Sequence, residues 1–248
     1  MMRKIFLITL AVVVIIIVTV SPAYAGTFFD DFNDGNADGW WLGYSLARPS
    51  VYGNWRVENG ELVQNQAGDG FIALVENYQI SDQTVETDLK LNGPAGYGGI
   101  MLWFQDDDNW VNIRVYPAVK RVYVGEYIDR VPTYVYYSTE LRNNTWHKLK
   151  VEANSSNGNI QVYIDDVYLL TYIATTPNRI GQTGVFNGNS GGSSGGKFDN
   201  FSIIADSILT DKDQCKGDGW KMFSNPTFKS QGECVSYLES NENAGKGD

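Results

Sequence analysis

Apolar and polar residues alternate along most of this chain with a period of two, the pattern of half-buried β-strands. The clearest stretch is residues 98–115, Gly-Gly-Ile-Met-Leu-Trp-Phe-Gln-Asp-Asp-Asp-Asn-Trp-Val-Asn-Ile-Arg-Val, which predicts two strands joined by an acidic tip. Ile100, Leu102, Phe104, Val111, Ile113 and Val115 share one parity, whereas Met101, Trp103, Gln105, Trp110, Asn112 and Arg114 share the other. The hairpin therefore has an oily face and a second face of aromatic, amide and guanidinium groups, where a half-buried sheet ordinarily presents plain charged residues.

Strands are predicted over 54–58, 61–65, 71–74, 83–91, 98–105, 110–116, 121–128, 133–137, 146–153, 159–164, 168–172, 181–186 and 197–204, with no helical period among them. Glu58-Asn59-Gly60-Glu61 and Ile164-Asp165-Asp166-Val167 are hairpin turns by residue type. Residues 187–196, nearly all Gly, Ser and Asn, read as a mobile loop. About a dozen short strands predict an all-β, two-sheet jelly-roll sandwich.

The N-terminus departs from this pattern. Arg3 and Lys4, an apolar run from Ile5 to Val20 and Ala23-Tyr24-Ala25 read as a secretory signal peptide cleaved after Ala25, with an uncleaved membrane anchor as the alternative. Loss of Arg3 and Lys4 takes the net charge from −10 to −12, which argues against nucleic acid and anionic membrane as partners. The mature protein is expected outside the cell or at its surface, with no membrane insertion. Aromatics at 13% and 26 glycines against 19% charged residues describe a turn-rich secreted β protein, not a disordered one.

The organisation expected is a signal peptide over 1–25, a sandwich domain over 26–205, a linker over 206–214, a two-cysteine appendage over 215–238 and a disordered tail over 239–248. Cys215 and Cys234 are the only cysteines, and in an exported chain they are expected to pair. Closing that loop contributes about 3 kcal/mol in the chain-entropy model. Residues 230–238 are expected to form a short helix holding Cys234, with Trp220, Phe223 and Phe228 packing a miniature core.

Asp30-Asp31-Phe32-Asn33-Asp34-Gly35, Asn54-Trp55-Arg56-Val57-Glu58-Asn59-Gly60-Glu61-Leu62, Asp107-Asp108-Asn109-Trp110, Asn144-Thr145-Trp146-His147-Lys148-Leu149-Lys150-Val151, Tyr163-Ile164-Asp165-Asp166 and Phe198-Asp199-Asn200-Phe201 follow one another in an order that resembles the concanavalin A-like (laminin G-like) jelly-roll superfamily. The resemblance is nearest to bacterial secreted modules of the levan-binding and 3-keto-disaccharide hydrolase types, over residues 27–204. The C-terminal segment is similar to a two-cysteine motif of bacterial secreted proteins. In related β-glucanases a structural calcium joins the first strand, an early turn and the last strand. The resemblance implies Asp31 (or Asp30 beside it), Gly60 and Asp199 as the corresponding ligands, a set of hard oxygens suited to Ca²⁺.

Catalysis finds less support than binding. A glycosidase needs two carboxyl groups flanking the scissile bond, and the superfamily's Glu-x-Asp-x-x-Glu run is absent, since Glu86-Thr87-Asp88 is followed by Leu91 where a third acid belongs. His147 has no second ligand at metal spacing and no nucleophile beside it, so it reads as structural. A sugar site asks only for an aromatic platform and polar groups on rigid strands. Parity places Trp103, Gln105, Asn112, Arg114, Tyr116, Tyr123 and Tyr127 on one face, with Trp103 and Tyr123 stacking and Gln105, Asn112 and Arg114 bonding hydroxyls. Glu126 has the opposite parity. The expectation is a secreted, non-catalytic, lectin-like module for a poly- or oligosaccharide. The alternatives are a keto-sugar glycoside hydrolase using Glu86, Asp88, Glu126 or Asp129, and a surface adhesion or protein-interaction domain.

Overall fold

The computed structural model describes residues 26–76, 78–93, 96–189, 195–205, 208–209, 212–216, 220 and 228–244. The expected signal peptide, the middle of the 187–196 loop, Phe223 and the end of the tail lie outside the described residues. The described strands are β1 (Gly26–Asp30), β2 (Trp40–Ser45), β3 (Arg48–Tyr52), β4 (Trp55–Glu58), β5 (Glu61–Gln64), β6 (Gly68–Val75), β7 (Gln79–Ile80), β8 (Gln83–Leu91), β9 (Gly96–Asp106), β10 (Asn109–Tyr116), β11 (Arg121–Ile128), β12 (Val131–Ser138), β13 (Trp146–Asn154), β14 (Asn159–Ile164), β15 (Val167–Ile173), β16 (Gln182–Asn189), β17 (Gly196–Ala205) and β18 (Ile208–Leu209). One helix follows, α1 (Gln231–Ala244).

Two antiparallel sheets face each other. The first runs β15-β14-β13-β8-β17-β5-β4, with β1 pairing the far half of β17; the second runs β12-β11-β10-β9-β16-β6-β2-β3. This is the all-β jelly-roll sandwich that the alternation predicts. Asn59-Gly60 and Asp165-Asp166 turn at positive φ as expected, and so does Asp129-Arg130 between β11 and β12. Strands β2 and β3 escape the pattern for a reason legible afterwards. Trp-Trp-Leu-Gly-Tyr-Ser has no period of two, and Pro49 belongs to an edge strand.

The two sheets differ in how they meet water. In β8, Gln83, Val85, Thr87, Leu89 and Leu91 are buried while the residues between them are half-exposed, and β13 and β14 alternate in the same way. The first sheet thus has a dry inner face and a wet outer face. The second sheet is buried on both faces along β6 and β9. Its inner side joins Leu62, Val85, Leu89, Leu149, Val162 and Phe198 of the first sheet in one core, and its outer side carries a separate apolar cluster.

A buried carboxylate ties the sheets together at one margin. Glu126 points inward from β11, as its parity predicts. Its Oε1 accepts the backbone N–H groups of Thr175 (2.8 Å) and Thr176 (2.6 Å), and its Oε2 accepts Tyr172 Oη–H (2.7 Å) and Thr175 Oγ1–H (2.8 Å). Four donors replace the water that the charge gives up. Burial first, and then the bond to Glu126, raises the Tyr172 phenol above its ordinary pKa. Within the first sheet, His147 Nδ1 lies 2.8 Å from Asp165 Oδ2 while Asp165 Oδ1 accepts the Lys148 N–H. It pins the β14–β15 turn onto β13, the structural role expected of it.

Beyond the sandwich, Ile208–Leu209 pairs with Gln79–Ile80 within the stretch read as a linker. Cys215 and Cys234 are joined in a disulfide, and Cys215, Phe228, Cys234 and Leu238 form a small core with Trp220, Val235 and Tyr237 packed on it. The helix expected over 230–238 continues to Ala244, so the first six residues of the tail expected to be disordered are helical.

Glu126→Ala is expected to cost about 3 kcal/mol or more of unfolding free energy, because it strands four donors in a dry site. Urea denaturation measures this, and a loss below about 1 kcal/mol contradicts the assignment.

Candidate functional site

The outer face of the second sheet holds the residues of interest, and a bulge in β9 decides which of them. Between β9 and β16 the register moves from Phe104↔Gln182 to Met101↔Gly184, and between β9 and β10 from Asp106↔Asn109 to Leu102↔Val111. β9 is longer by one residue against β16 and by two against β10, and Trp103 lies within the shift at φ 47°. Its ring turns inward and is fully buried in the core between the sheets, where Nε1–H donates to the Ser81 carbonyl at 2.8 Å. Gly181 makes this possible, since a Cβ there would stand 2.5 Å from the Trp103 carbonyl carbon.

The bulge corrects two expectations. Trp103 is not on the platform, and Phe104 takes its place in the outer cluster. Gln105 turns away with the reversed parity, and its Nε2–H donates to the Asn178 carbonyl at 2.7 Å. The warning sign in the sequence is the unbroken run Ile-Met-Leu-Trp-Phe, which cannot satisfy a strict alternation.

The other five platform residues do share the outer face. Tyr127 stacks on Trp110 with ring centroids 3.6 Å apart, Tyr116 packs on Tyr97 at 5.4 Å, and Tyr123 packs on Tyr136 at 5.6 Å. Arg114 occupies the middle, its guanidinium carbon 5.0 Å from the Tyr97 ring centre and 5.4 Å from those of Tyr134 and Phe186. Asn112 is fully buried beside it, with both amide atoms unpartnered, and the Arg114 Nε is likewise buried and unpartnered. Gly125 leaves room for this amide: a Cβ there would stand 2.6 Å from Asn112 Oδ1.

Sequence reasoning missed Tyr97, Phe104, Phe186, Trp41, Tyr44, Tyr134 and Tyr136. Tyr97 Oη–H donates to Asp69 at 2.5 Å and Tyr44 Oη–H to Asp107 at 2.7 Å, each bond crossing at least one intervening strand of the face. Tyr97, Phe104, Trp110 and Phe186 are buried in a cluster separate from the core between the sheets, so the side chains of this face shield one another. Burial first, and then the bond it shares with Tyr134, pushes the Tyr127 phenol up to about 12. Tyr44, Tyr97 and Tyr127, all raised by burial, stay protonated at neutral pH.

The acids weighed for catalysis fall in three separate places. Glu86 and Asp88 lie on the outer face of the first sheet, opposite Lys150 and Lys148. Glu126 is the buried tie, and Asp129 sits in the β11–β12 turn with its N–H on Asn109 Oδ1.

The residues implied for calcium come together at the corner of β1, β5 and β17. Gly60 turns at φ 74° with Asn33 Oδ1 2.8 Å from where its Cβ would lie. Burial pushes the Asp199 carboxyl above its ordinary value, the Asn200 N–H opposes this, and the charges of Asp88, Glu61 and Asp31 add to it. Asp30 is taken by Phe32 N–H and Trp40 Nε1–H. The donors are all hard oxygens, as Ca²⁺ requires, although among the described residues no three acidic, histidine or cysteine side chains form a metal-holding group.

The sequence profile of the 3-keto-alpha-glucoside-1,2-lyase-like domain matches residues 27–203, the whole sandwich. The chain belongs to that family. No curated protein matches it. Among solved structures this 3-keto-alpha-glucoside-1,2-lyase-like domain is similar to the carbohydrate-binding module CBM66 from Bacillus subtilis, with 19% identity, a TM-score of 0.56, and coverage of 67% of this chain and 96% of that one. It is also similar to the Bacillus licheniformis β-glucanase, with 14% identity, a TM-score of 0.55, and coverage of 73% and 99%. A native glycosidic hydrolase matches at 10% identity and a TM-score of 0.56, covering 73% and 96%. At these identities the likeness is one of fold.

Trp103→Ala is expected to destabilise the domain by about 3–5 kcal/mol, as deletion of a buried aromatic side chain does, whereas Tyr136→Ala on the exposed margin costs under about 1 kcal/mol. Equal losses in urea unfolding would contradict the inward placement of Trp103.

Proposed function

We propose that this protein is a carbohydrate-binding, lectin-like module that uses the outer face of the second sheet and leaves its ligand intact. The observation that carries this reading is Arg114, half-buried and set among three aromatic rings on the outer face. A sugar ring has an apolar C–H face and a rim of hydroxyls. Tyrosine and tryptophan rings match the first; a guanidinium matches the second, or pairs with the carboxylate of an acidic sugar. The ligand class is a poly- or oligosaccharide. Such shallow sites bind with Kd values on the order of micromolar to millimolar. The scattering of Glu86, Asp88, Glu126 and Asp129 supports binding over glycosidic cleavage by those acids. Export through the leader would bring the face to extracellular glycans.

A glycan array on the purified protein is expected to show saccharide binding, which Arg114→Ala with Tyr134→Ala weakens at least about tenfold, the loss of one or two charge-assisted bonds and a stacking contact. No glycan bound, or a double variant that binds like wild type, would overturn the site. Release of product from a 3-keto-glucoside or an oligosaccharide would overturn the non-catalytic half of the reading.

We also infer a structural calcium held by Asp199, the Gly60 carbonyl and Asp31. When bound, the ion would offset the like charges gathered at that corner. Asp199, raised above its unfolded value by burial, favours the fold fully at pH below that value and loses this contribution as pH rises through its folded pKa. Millimolar calcium is expected to raise Tm and EDTA to lower it, and Asp199→Ala to remove the difference. Superimposable melting curves in calcium and EDTA would remove the metal from the account.

A further inference from the structure

The outer edge of β12 is the feature that the sugar site does not absorb. All eight of its residues are exposed, with Val131 at 67%, Tyr136 at 55% and Tyr137 at 45%, and Val-Pro-Thr-Tyr-Val-Tyr-Tyr-Ser holds no charge in a chain of net charge −10. β12 ends the second sheet, and no described strand pairs with its outer side. Edge strands of this length usually carry inward charges or a bulge that blocks a further strand. This one carries only Pro132.

The hairpin fixes which groups face outward. The Asp129-Arg130 turn joins Ile128 to Val131, and the closing pair of a two-residue turn is hydrogen-bonded. Val131, Thr133, Val135 and Tyr137 therefore bond to β11, and the Thr139 N–H on the Lys120 carbonyl continues the series. Pro132, Tyr134, Tyr136 and Ser138 present their backbone groups to the open edge.

We propose that β12 pairs antiparallel with β12 of a second copy about a two-fold axis at Val135, joining two second sheets into one continuous sheet. In this register Tyr134 lies opposite the partner's Tyr136, each pair exchanging two backbone hydrogen bonds. Pro132 lies opposite the partner's Ser138, so the missing N–H falls at the ends of the ladder. Arg130 comes alongside the partner's Glu140, and Glu140 alongside the partner's Arg130. In one chain these two charges bracket the neutral strand with opposite sign, each held exposed by an ion pair, Arg130 with Asp108 and Lys120 with Glu140. A two-fold axis at Val135 superposes unlike charges at both ends, a complementarity specific to a second copy of this chain. Residues of equal parity meet, so both outer faces point the same way. Two weak sites then bear on one polymer, a consequence that rests on the carbohydrate reading although the pairing itself does not.

Odd-numbered residues form the non-hydrogen-bonded pairs of the new ladder, in which Val135 stands directly opposite the partner's Val135 at the separation a disulfide spans. Val135→Cys in the full chain, whose Cys215 and Cys234 are already joined, is expected to give a covalent dimer under mild oxidation. Tyr137→Cys, opposite the partner's Thr133, is expected to stay monomeric on non-reducing gels, and Thr133→Cys with Tyr137→Cys to cross-link. No dimer from Val135→Cys, or equal cross-linking of Val135→Cys and Tyr137→Cys, would overturn the register. Sedimentation of the unmodified protein at roughly 100 µM is expected to show a dimer, weakened about tenfold by Arg130→Glu or Glu140→Arg and restored when both are present. A monomer throughout, or an assembly indifferent to the charge reversals, would overturn the proposal.

Discussion

The placement of one indole governs the rest of this structure. β9 is the strand through which the second sheet serves two cores, and its run of large apolar residues leaves no polar position to spare. An unbroken alternation would put Trp103 on the outer face and Phe104 in the core. The bulge reverses both, filling the space between the sheets with the largest side chain available and satisfying its N–H on Ser81. Everything downstream in β9 follows the reversed parity, including the turn of Gln105 toward Asn178.

Once Trp103 is committed inward, the outer face has to bury its aromatics among themselves. Phe104, Trp110, Phe186 and Tyr97 pack side by side, and the phenols of Tyr44 and Tyr97 reach across to Asp107 and Asp69. This packing sets the Arg114 guanidinium in an aromatic surround, with the Asn112 amide buried and unpartnered. Glu126 marks the contrast. Its carboxylate is fully engaged by Tyr172, Thr175 and Thr176, and its work is to hold the two sheets in register.

Local signals were readable in the sequence, and non-local ones were not. Alternation identified most strands of both sheets, Asn59-Gly60 and Asp165-Asp166 announced their turns, and the two cysteines and His147 have the roles that their chemistry implied. That Asn112, Arg114, Tyr116, Tyr123 and Tyr127 share one face is legible because β10 and β11 alternate cleanly and are neighbours along the chain. Trp103 and Gln105 were misplaced because a bulge depends on the close approach of Gly181, far away in sequence. Tyr97, Phe186, Trp41 and Tyr44 were missed because strand order, not sequence order, brings β16, β6 and β2 beside β9. Family membership restricts the fold, while the make-up of this face follows from its own residues.

The indole N–H resonances offer the most direct test that the outer face of the second sheet is the sugar site. During titration with a bound oligosaccharide, the Trp110 and Trp41 signals are expected to shift while Trp103, with its N–H held by Ser81 in the core, stays in place. Shifts at Trp55 and Trp146, which belong to the first sheet, with Trp110 unmoved would contradict the account.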